Sequence, residues 1–381
     1  MSVMRIIRLH MCAALVAASA VAACGGASDA TGVSPEKTCQ QDPTQAKCVV
    51  VTPVDTTSLR TLAARSNRFI GAAAGSLFGT NPTFDATLKR EFNIVTPENS
   101  MKWSSIHGVS RAVYSFDAPD ALVAFAEANG MKVRGHNLAW HNQNASWVTN
   151  GTWTAATLTD VLQEHIATVV GRYKGRIAQW DVVNEAIDDS GKLRVAESVW
   201  GRVIGPSYIE TAFRAARAAD PDAILAYNDY SLEFPGVKQD SAFALLQRLK
   251  AAGVPIDQIG FQAHFQINAD GSGVPSKQAL IDVFNRFAGL GLKVAITELD
   301  IRVRTSPAAS AAELAAQTNG YSTVVQACLA VPACTTIVTW GVTDAASWVP
   351  GTFPGYGDAL LFDSAFNKKA TYTAVKTALG G

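Results

Sequence analysis

Five carboxylates, Glu98, Glu185, Asp229, Glu298 and Asp300, stand at or near the ends of short apolar, β-branched runs. Each has polar or aromatic company: Asn99, Asn184, Asn228, His136, His264, Gln262 and Trp340 occupy equivalent places. Carboxylates and histidines are costly to bury unless paired or used, so their recurrence at successive strand ends points to a shared site rather than to packing. Two carboxylates from different strands suit the hydrolysis of a glycosidic bond. One must be protonated to assist the leaving oxygen; the other must be ionised to attack or stabilise the sugar cation. Environment decides which is which, because burial near like charge raises one pKa while cations and donors lower another. Spacing alone does not select the pair from the five.

Period-two geometry narrows the arrangement. In the run Val294 to Asp300, the residues Val294, Ile296, Glu298 and Asp300 are expected on one face, and Gln262 shares a face with His264 on the preceding strand. Such a cluster can orient a carboxylate by a histidine that Asp300 holds; a structural ion-pair network also gathers His and Asp. His136 and His141 could suggest a metal, but no second ligand cluster or HxxxH helix accompanies them, and no cofactor is expected. Trp103, Trp147, Trp180 and Trp200 read as core, and His107 and His165 as surface or packing residues.

The elements that must carry these tips recur regularly. Strand ends fall near Gly71, Glu98, His136, Glu185, Asp229, His264, Glu298 and Trp340, between 27 and 49 residues apart, about one βα unit each. Between them, residues 206–220 place Ile209, Ala212, Phe213 and Ala216 on one helical face, with Pro206 suited to the first turn. Residues 118–130 carry Leu122, Phe125 and Ala126 as a stripe, with Gly130 as the stop. Eight such units, without a Gly-rich dinucleotide fingerprint, favour a single α/β catalytic domain over residues 58–381, a (β/α)8 TIM barrel rather than a doubly wound sheet. Strand C-terminal tips form the active face of such a barrel.

Residues 1–24 read as an export signal: Arg5 and Arg8 precede the apolar run Met11 to Ala23. Its end, Val21-Ala22-Ala23-Cys24, resembles a bacterial lipoprotein box, in which Cys24 would be lipidated; the alternative is an ordinary signal peptide. The polar residues 25–57 then form a linker. The expected location is outside the cell, either secreted or at the surface as an outer-membrane lipoprotein. Cys328 and Cys334 are expected to pair in that oxidising compartment, and Cys39 with Cys48 forms the other possible loop. Lysine and arginine together number 32, equal to aspartate and glutamate, so no basic footprint for nucleic acid exists, and a neutral sugar polymer suits the balance.

Seven blocks, in order, carry a resemblance to a known family: FNIVTPENSMKW (92–103), RGHNLAWH (134–141), WDVVNEA (180–186), NDYS (228–231), GFQAHF (260–265), ITELDI (296–301) and TWGVTDAASW (339–348). Over roughly residues 58–381 the chain resembles glycoside hydrolase family 10, the endo-β-1,4-xylanases, which act with retention on xylan and xylo-oligosaccharides. The resemblance implies Glu185 as acid/base, Glu298 as nucleophile, His264 bonded to the nucleophile and Asp300 positioning His264. It implies that Asn184 contacts the 2-hydroxyl at subsite −1, with His136 and Lys102 on the 3-hydroxyl side. Glu98, Asn99, Trp140 and Gln143 would form subsite −2. Trp340 and Trp348 would be aromatic platforms, Tyr230 would stack a sugar on the leaving-group side, and Gln262 would join the polar lining. A monomer is expected.

Other readings are a retaining β-1,4 or mixed-linkage glucanase, or a surface polysaccharide-binding lipoprotein with a degenerate site, against which intact Glu185 and Glu298 argue. A metal-dependent barrel hydrolase lacks the expected HxH on an early strand. Asn144-Ala145 departs from a common Leu-Pro and touches the rim; Lys369-Ala370-Thr371 departs from Lys-Pro-Ala near the last helix. Residues 349–357, with three glycines and two prolines, read as a loop over the cleft.

Overall fold

A computed structural model describes residues 57–381. The export signal, Cys24, the linker and the Cys39/Cys48 pair lie outside the described residues. The described strands are β1 (Phe69–Ala74), β2 (Ile94–Pro97), β3 (Lys132–Trp140), β4 (Gln179–Asn184), β5 (Ile224–Asp229), β6 (Gln258–Phe261), β7 (His264–Gln266), β8 (Lys293–Arg304), β9 (Cys334–Thr339) and β10 (Tyr356–Gly357). Neighbours from β1 to β6, then β8 and β9, pair in parallel, and β9 returns to β1, so the sheet closes into a (β/α)8 barrel. β7 continues the sixth stave, pairing with β8 above β6, while β10 adds antiparallel to the end of β8.

Helices fill the intervals because their apolar stripes need the outside of the barrel. Tyr208–Ala219 buries Ile209, Ala212, Phe213 and Ala216, as the period predicts, but starts two residues later than Pro206. Asp117–Ala128 buries Leu122 and Ala126, with Phe125 half-buried against Phe78; Gly130 takes a left-handed φ of 60° just past the end. Cys328, near the end of helix Ala311–Ala330, is disulfide-bonded to Cys334 at the start of β9. Residues 349–357 contain more than a loop: a one-turn helix, Val349–Thr352, and then β10.

The barrel floor is polar. Arg134, fully buried, donates from one terminal nitrogen to Gln179 Oε1 and Gln258 Oε1, each at 2.7 Å, and from Nε and the other to Asp181. Such a fork satisfies a charge that would otherwise be costly at that depth. Outside the staves, Trp180 packs where Gly135 has no Cβ: an added one would lie 2.2 Å from its ring. Trp103, Trp180 and Trp200 are core, as expected, and Trp147 packs half-buried against them. His107 and His165 are packing residues, not surface ones. Their Nδ1 atoms lie 3.1 Å apart, in a stack with Trp103 and Tyr114.

Strict alternation fails near three strand tips. Ala295 stands in register with Gly260 and Thr336, and Thr336 accepts a bond from inward-facing Gln179. Ala295 and Thr297 therefore face the barrel interior, and Val294 and Ile296 face the helices. The expected common face for Val294, Ile296, Glu298 and Asp300 is thus wrong in its first half. Pairing with β9 shifts by a residue between Ile296 and Leu299, and beyond that bulge Glu298 and Asp300 turn inward. Similar shifts follow Asp181 on β4 and His136 on β3; past the first, Asn184 turns inward with Asn228.

Candidate active site

The strand tips surround a cleft of about 600 Å³. Fourteen of the fifteen catalytic and binding residues named from the sequence line it, and Asp300 lies buried directly behind.

Glu298 sits at the centre. Its Oε1 accepts from Asn228 Nδ2 at 2.7 Å and its Oε2 faces His264 Nε2 at 3.2 Å. Burial works against the charge, but the His264 hydrogen bond and the charges of His136 and His264 outweigh it, holding the carboxyl below its ordinary value. His264 Nδ1 lies 3.0 Å from Asp300 Oδ2, though off the N–H axis, so that contact acts through charge. Burial disfavours the imidazolium, yet Asp300 and Glu298 push its pKa up to about 10. Asp300 also accepts from the Trp348 indole at 2.7 Å, which ties an aromatic wall of the cleft to the same cluster.

Glu185 enters from the other side. Trp140 Nε1 donates to its Oε2 at 2.8 Å and Gln262 Nε2 to its Oε1 at 2.9 Å, with His141 Nδ1 3.8 Å away. Its backbone is left-handed, φ 54°, and its N–H is bonded to Asn228 O. Gln143, Ser231 and Ala263 around the same rim share that conformation, which costs non-glycine residues on the order of 1–3 kcal/mol each and persists only where surroundings over-determine it. A chain of amides joins the two carboxylates. Asn228 Nδ2 bonds both Glu298 and Asn184 Oδ1 (2.8 Å), and Asn184 Oδ1 also faces Gln262 Nε2 at 3.4 Å. With Oδ1 doubly engaged, Asn184 presents Nδ2 to the cleft.

One end of the cleft is charged. Lys102 Nζ donates to Asn99 Oδ1 at 3.0 Å and lies 5.2 Å above the Trp140 ring. Burial lowers its pKa against the pull of Glu298, Glu98 and Glu185. Glu98 is raised by burial, opposed by Lys102. His136 Nδ1 contacts Asp181 Oδ2 at 3.0 Å, and Trp340 meets the His136 ring edge-on at 5.2 Å. Gln143 completes that wall. At the other end, Tyr230 OH donates to Asp189 Oδ1 and accepts from Arg194 at 2.7 Å, while Lys238 Nζ lies 3.0 Å over its ring. Asp229 lies beneath, buried and paired with Lys238 at 3.0 Å; burial raises it to about 6 against that cation.

The cleft thus sets one carboxylate, kept ionised, across from a second at the barrel's C-terminal face. The model of glycosyl hydrolase family 10 matches residues 58–378. The chain belongs to glycoside hydrolase family 10. Among similar proteins, an endo-1,4-beta-xylanase B of Thermotoga neapolitana is 44% identical over 323 residues, 84% of this chain and 90% of that protein. An endo-1,4-beta-xylanase 1 of Gibberella zeae is 41% identical, covering 82% and 87%. The solved structure of xylanase 10B from Thermotoga petrophila with xylobiose superposes with a TM-score of 0.80 at 46% identity, over 84% of this chain and 97% of that one.

Sequence reasoning missed several contributors to the family 10 cleft. Asn228 was visible at a strand tip, but not as a donor to Glu298. Asp181, inside β4, was not singled out in the sequence. Glu233, beyond β5, accepts from Ala263 N–H at 2.6 Å and so clamps the peptide between Gln262 and His264; burial pushes its carboxyl up to about 7. Arg302, Thr352 and Phe353 also line the cleft. No local spacing marks any of these, since each acts across strands.

Proposed function

We propose that this chain is an endo-β-1,4-xylanase, with Glu298 attacking the anomeric carbon and Glu185 serving first as acid and then as base. It hydrolyses internal β-1,4-xylosidic bonds by retaining double displacement, the chemistry general to family 10. In the first step the Glu298 carboxylate forms a glycosyl ester while Glu185 protonates the departing oxygen; in the second, Glu185 takes a proton from the water that cleaves the ester. The observation that carries this reading is the surroundings of Glu298: His264 and His136 keep it ionised at the centre of the cleft, where Asn228 also donates to it. Asp300 acts through His264 as a positioning residue.

In the same reading Asn184 Nδ2 meets the 2-hydroxyl of the sugar at subsite −1, a contact that strengthens as charge develops. His136 and Lys102 hold the 3-hydroxyl side. Glu98, Asn99, Trp140 and Gln143 form subsite −2, Trp340 and Trp348 are the platforms over the glycone, and Tyr230 stacks the leaving-group sugar. Gln262 keeps the Glu185 carboxyl turned toward the bond. The test is reducing-sugar release from xylan, cellulose and mixed-linkage glucan, with product sizes, for wild type and Glu298→Gln. Xylan should be cleaved internally and preferentially, and the variant should be inactive on all three. Faster cleavage of a glucan overturns the substrate assignment, and near wild-type turnover by a pure Glu298→Gln removes Glu298 from the mechanism.

The same proposal places the enzyme outside the cell, tethered through lipidated Cys24 with residues 25–57 as spacer. The support is the charged start, the apolar run and the Val21-Ala22-Ala23-Cys24 box. Cys24→Ala should move the protein from the membrane fraction to the soluble exported fraction with its specific activity unchanged. A wild-type protein already soluble after export overturns the anchor.

A further inference from the structure

Two cationic side chains that line the cleft differ in what they already hold. Lys102 is committed to Asn99 and lies in the field of Glu98, Glu185 and Glu298. Arg302 is not so committed. It follows Glu298 and Asp300 by the two-residue period of β8, in register with Gln266 of β7. Its Nε donates to Gln266 Oε1 at 3.1 Å, and its guanidinium carbon lies 3.8 Å over the Phe353 ring. These contacts use one N–H and one face of the guanidinium. Among the described residues, its terminal nitrogens have no hydrogen-bond or ion-pair partner. Arg304, two residues further along β8, is spent, forking onto Glu313.

A guanidinium held flat with its outer donors free is arranged to receive a planar anion through two parallel hydrogen bonds. Nothing in an unsubstituted xylose chain uses that charge. We propose that Arg302 is the binding site for the carboxylate of a uronic acid substituent carried by a backbone sugar, in the part of the cleft walled by Trp348 and Phe353. The inference rests on the xylanase reading and deepens it from a neutral polymer to an acid-substituted one. Half-burial lowers the guanidinium pKa, and Asp300 and Tyr356 restore only part of the loss, so the cation stands under-compensated in the free protein. Asp300 Oδ2 serves His264 and the Trp348 indole, and no hydrogen bond or ion pair joins the Asp300 carboxylate to Arg302 among the described residues.

The test compares kcat/KM on a methylglucuronoxylan with kcat/KM on the same polymer after its carboxyl groups are reduced to alcohols. Substituent size and position are then constant, and only the charge changes. Wild type should prefer the acidic polymer about tenfold or more, as expected for a charge-assisted pair, and the preference should shrink at high salt. Arg302→Gln should bring the ratio to about one, whatever its rate on either polymer, and Arg302→Lys should fall between, keeping charge but losing the fork. A wild-type ratio near one, or a ratio unchanged in Arg302→Gln, overturns the proposal and leaves Arg302 a donor to neutral hydroxyls. If Arg302→Gln does not fold, the wild-type ratio and its salt dependence still decide. Failure of wild type to cleave either polymer overturns the xylanase reading instead, and the inference with it.

Discussion

Asn228→Ala tests how much the Asn228 hydrogen bond adds to His264 and His136 in holding Glu298 ionised. Asn228 is fully buried; its Nδ2 donates to Glu298 Oε1 at 2.7 Å, and its Oδ1 accepts from Thr297 Oγ1 at 2.6 Å. A hydrogen bond to a charged group contributes about 1.5–3 kcal/mol, and about 1.4 kcal/mol corresponds to one pKa unit. Removing the donor withdraws that stabilisation from the carboxylate and not from the acid, so the Glu298 pKa rises by roughly 1–2 units. Glu298 must be ionised to attack; the acid limb of kcat/KM therefore moves to higher pH by that amount. The assay is the pH profile of kcat/KM on an aryl xylobioside with a good leaving group, whose departure needs no proton from Glu185. The acid limb then reports Glu298 alone. The plateau should also drop, because Asn184 Oδ1 would keep only the 3.4 Å contact with Gln262. An acid limb that stays in place or moves down in a folded variant refutes the argument, and Glu298 would then owe its charge to His264 and His136.

Glu185→Ala should cripple xylan cleavage yet still form the glycosyl-enzyme from an activated aryl xylobioside. That intermediate should accumulate, and added azide should speed turnover to a β-configured product. An α-azide, or no azide rescue with aryl and natural substrates slowed alike, removes Glu185 from the acid/base role. His264 gives a stability prediction with a definite sign. Its folded pKa of about 10 exceeds the unfolded value of about 6.5, so its contribution is complete below pH 6.5 and drains away as pH rises towards 10. The melting temperature of wild type should fall more steeply between pH 7 and 10 than that of His264→Gln, and parallel curves would contradict the linkage.

The barrel and most of the residues that line its cleft were legible in the chain because the signals are local. Two-residue and 3.6-residue periods mark strands and helices within a dozen residues, and the staves of a barrel bring their ends to one face whatever lies between. Choosing among five carboxylates was not local. Their surroundings come from other staves: Asn228 reaches Glu298 across 70 positions of sequence, and Gln262 reaches Glu185 across 77.

The alternation rule shows where sequence reasoning stops. It pairs Glu298 with Asp300 correctly but puts Val294 and Ile296 on their face, because a bulge inserts one residue in the pairing without a mark in composition. By itself the sequence determined how many units there are, where their tips fall and which tips carry carboxylates, histidines and tryptophans. Only the tertiary structure decided which partner each of those groups meets. That set the charge of Glu298, the clamp of Glu233 on Ala263 and the unpaired terminal nitrogens of Arg302 among the described residues. The reason is physical: periodicity is a property of neighbours along the chain, whereas hydrogen bonds and desolvation depend on distances between strands that the closed barrel alone creates.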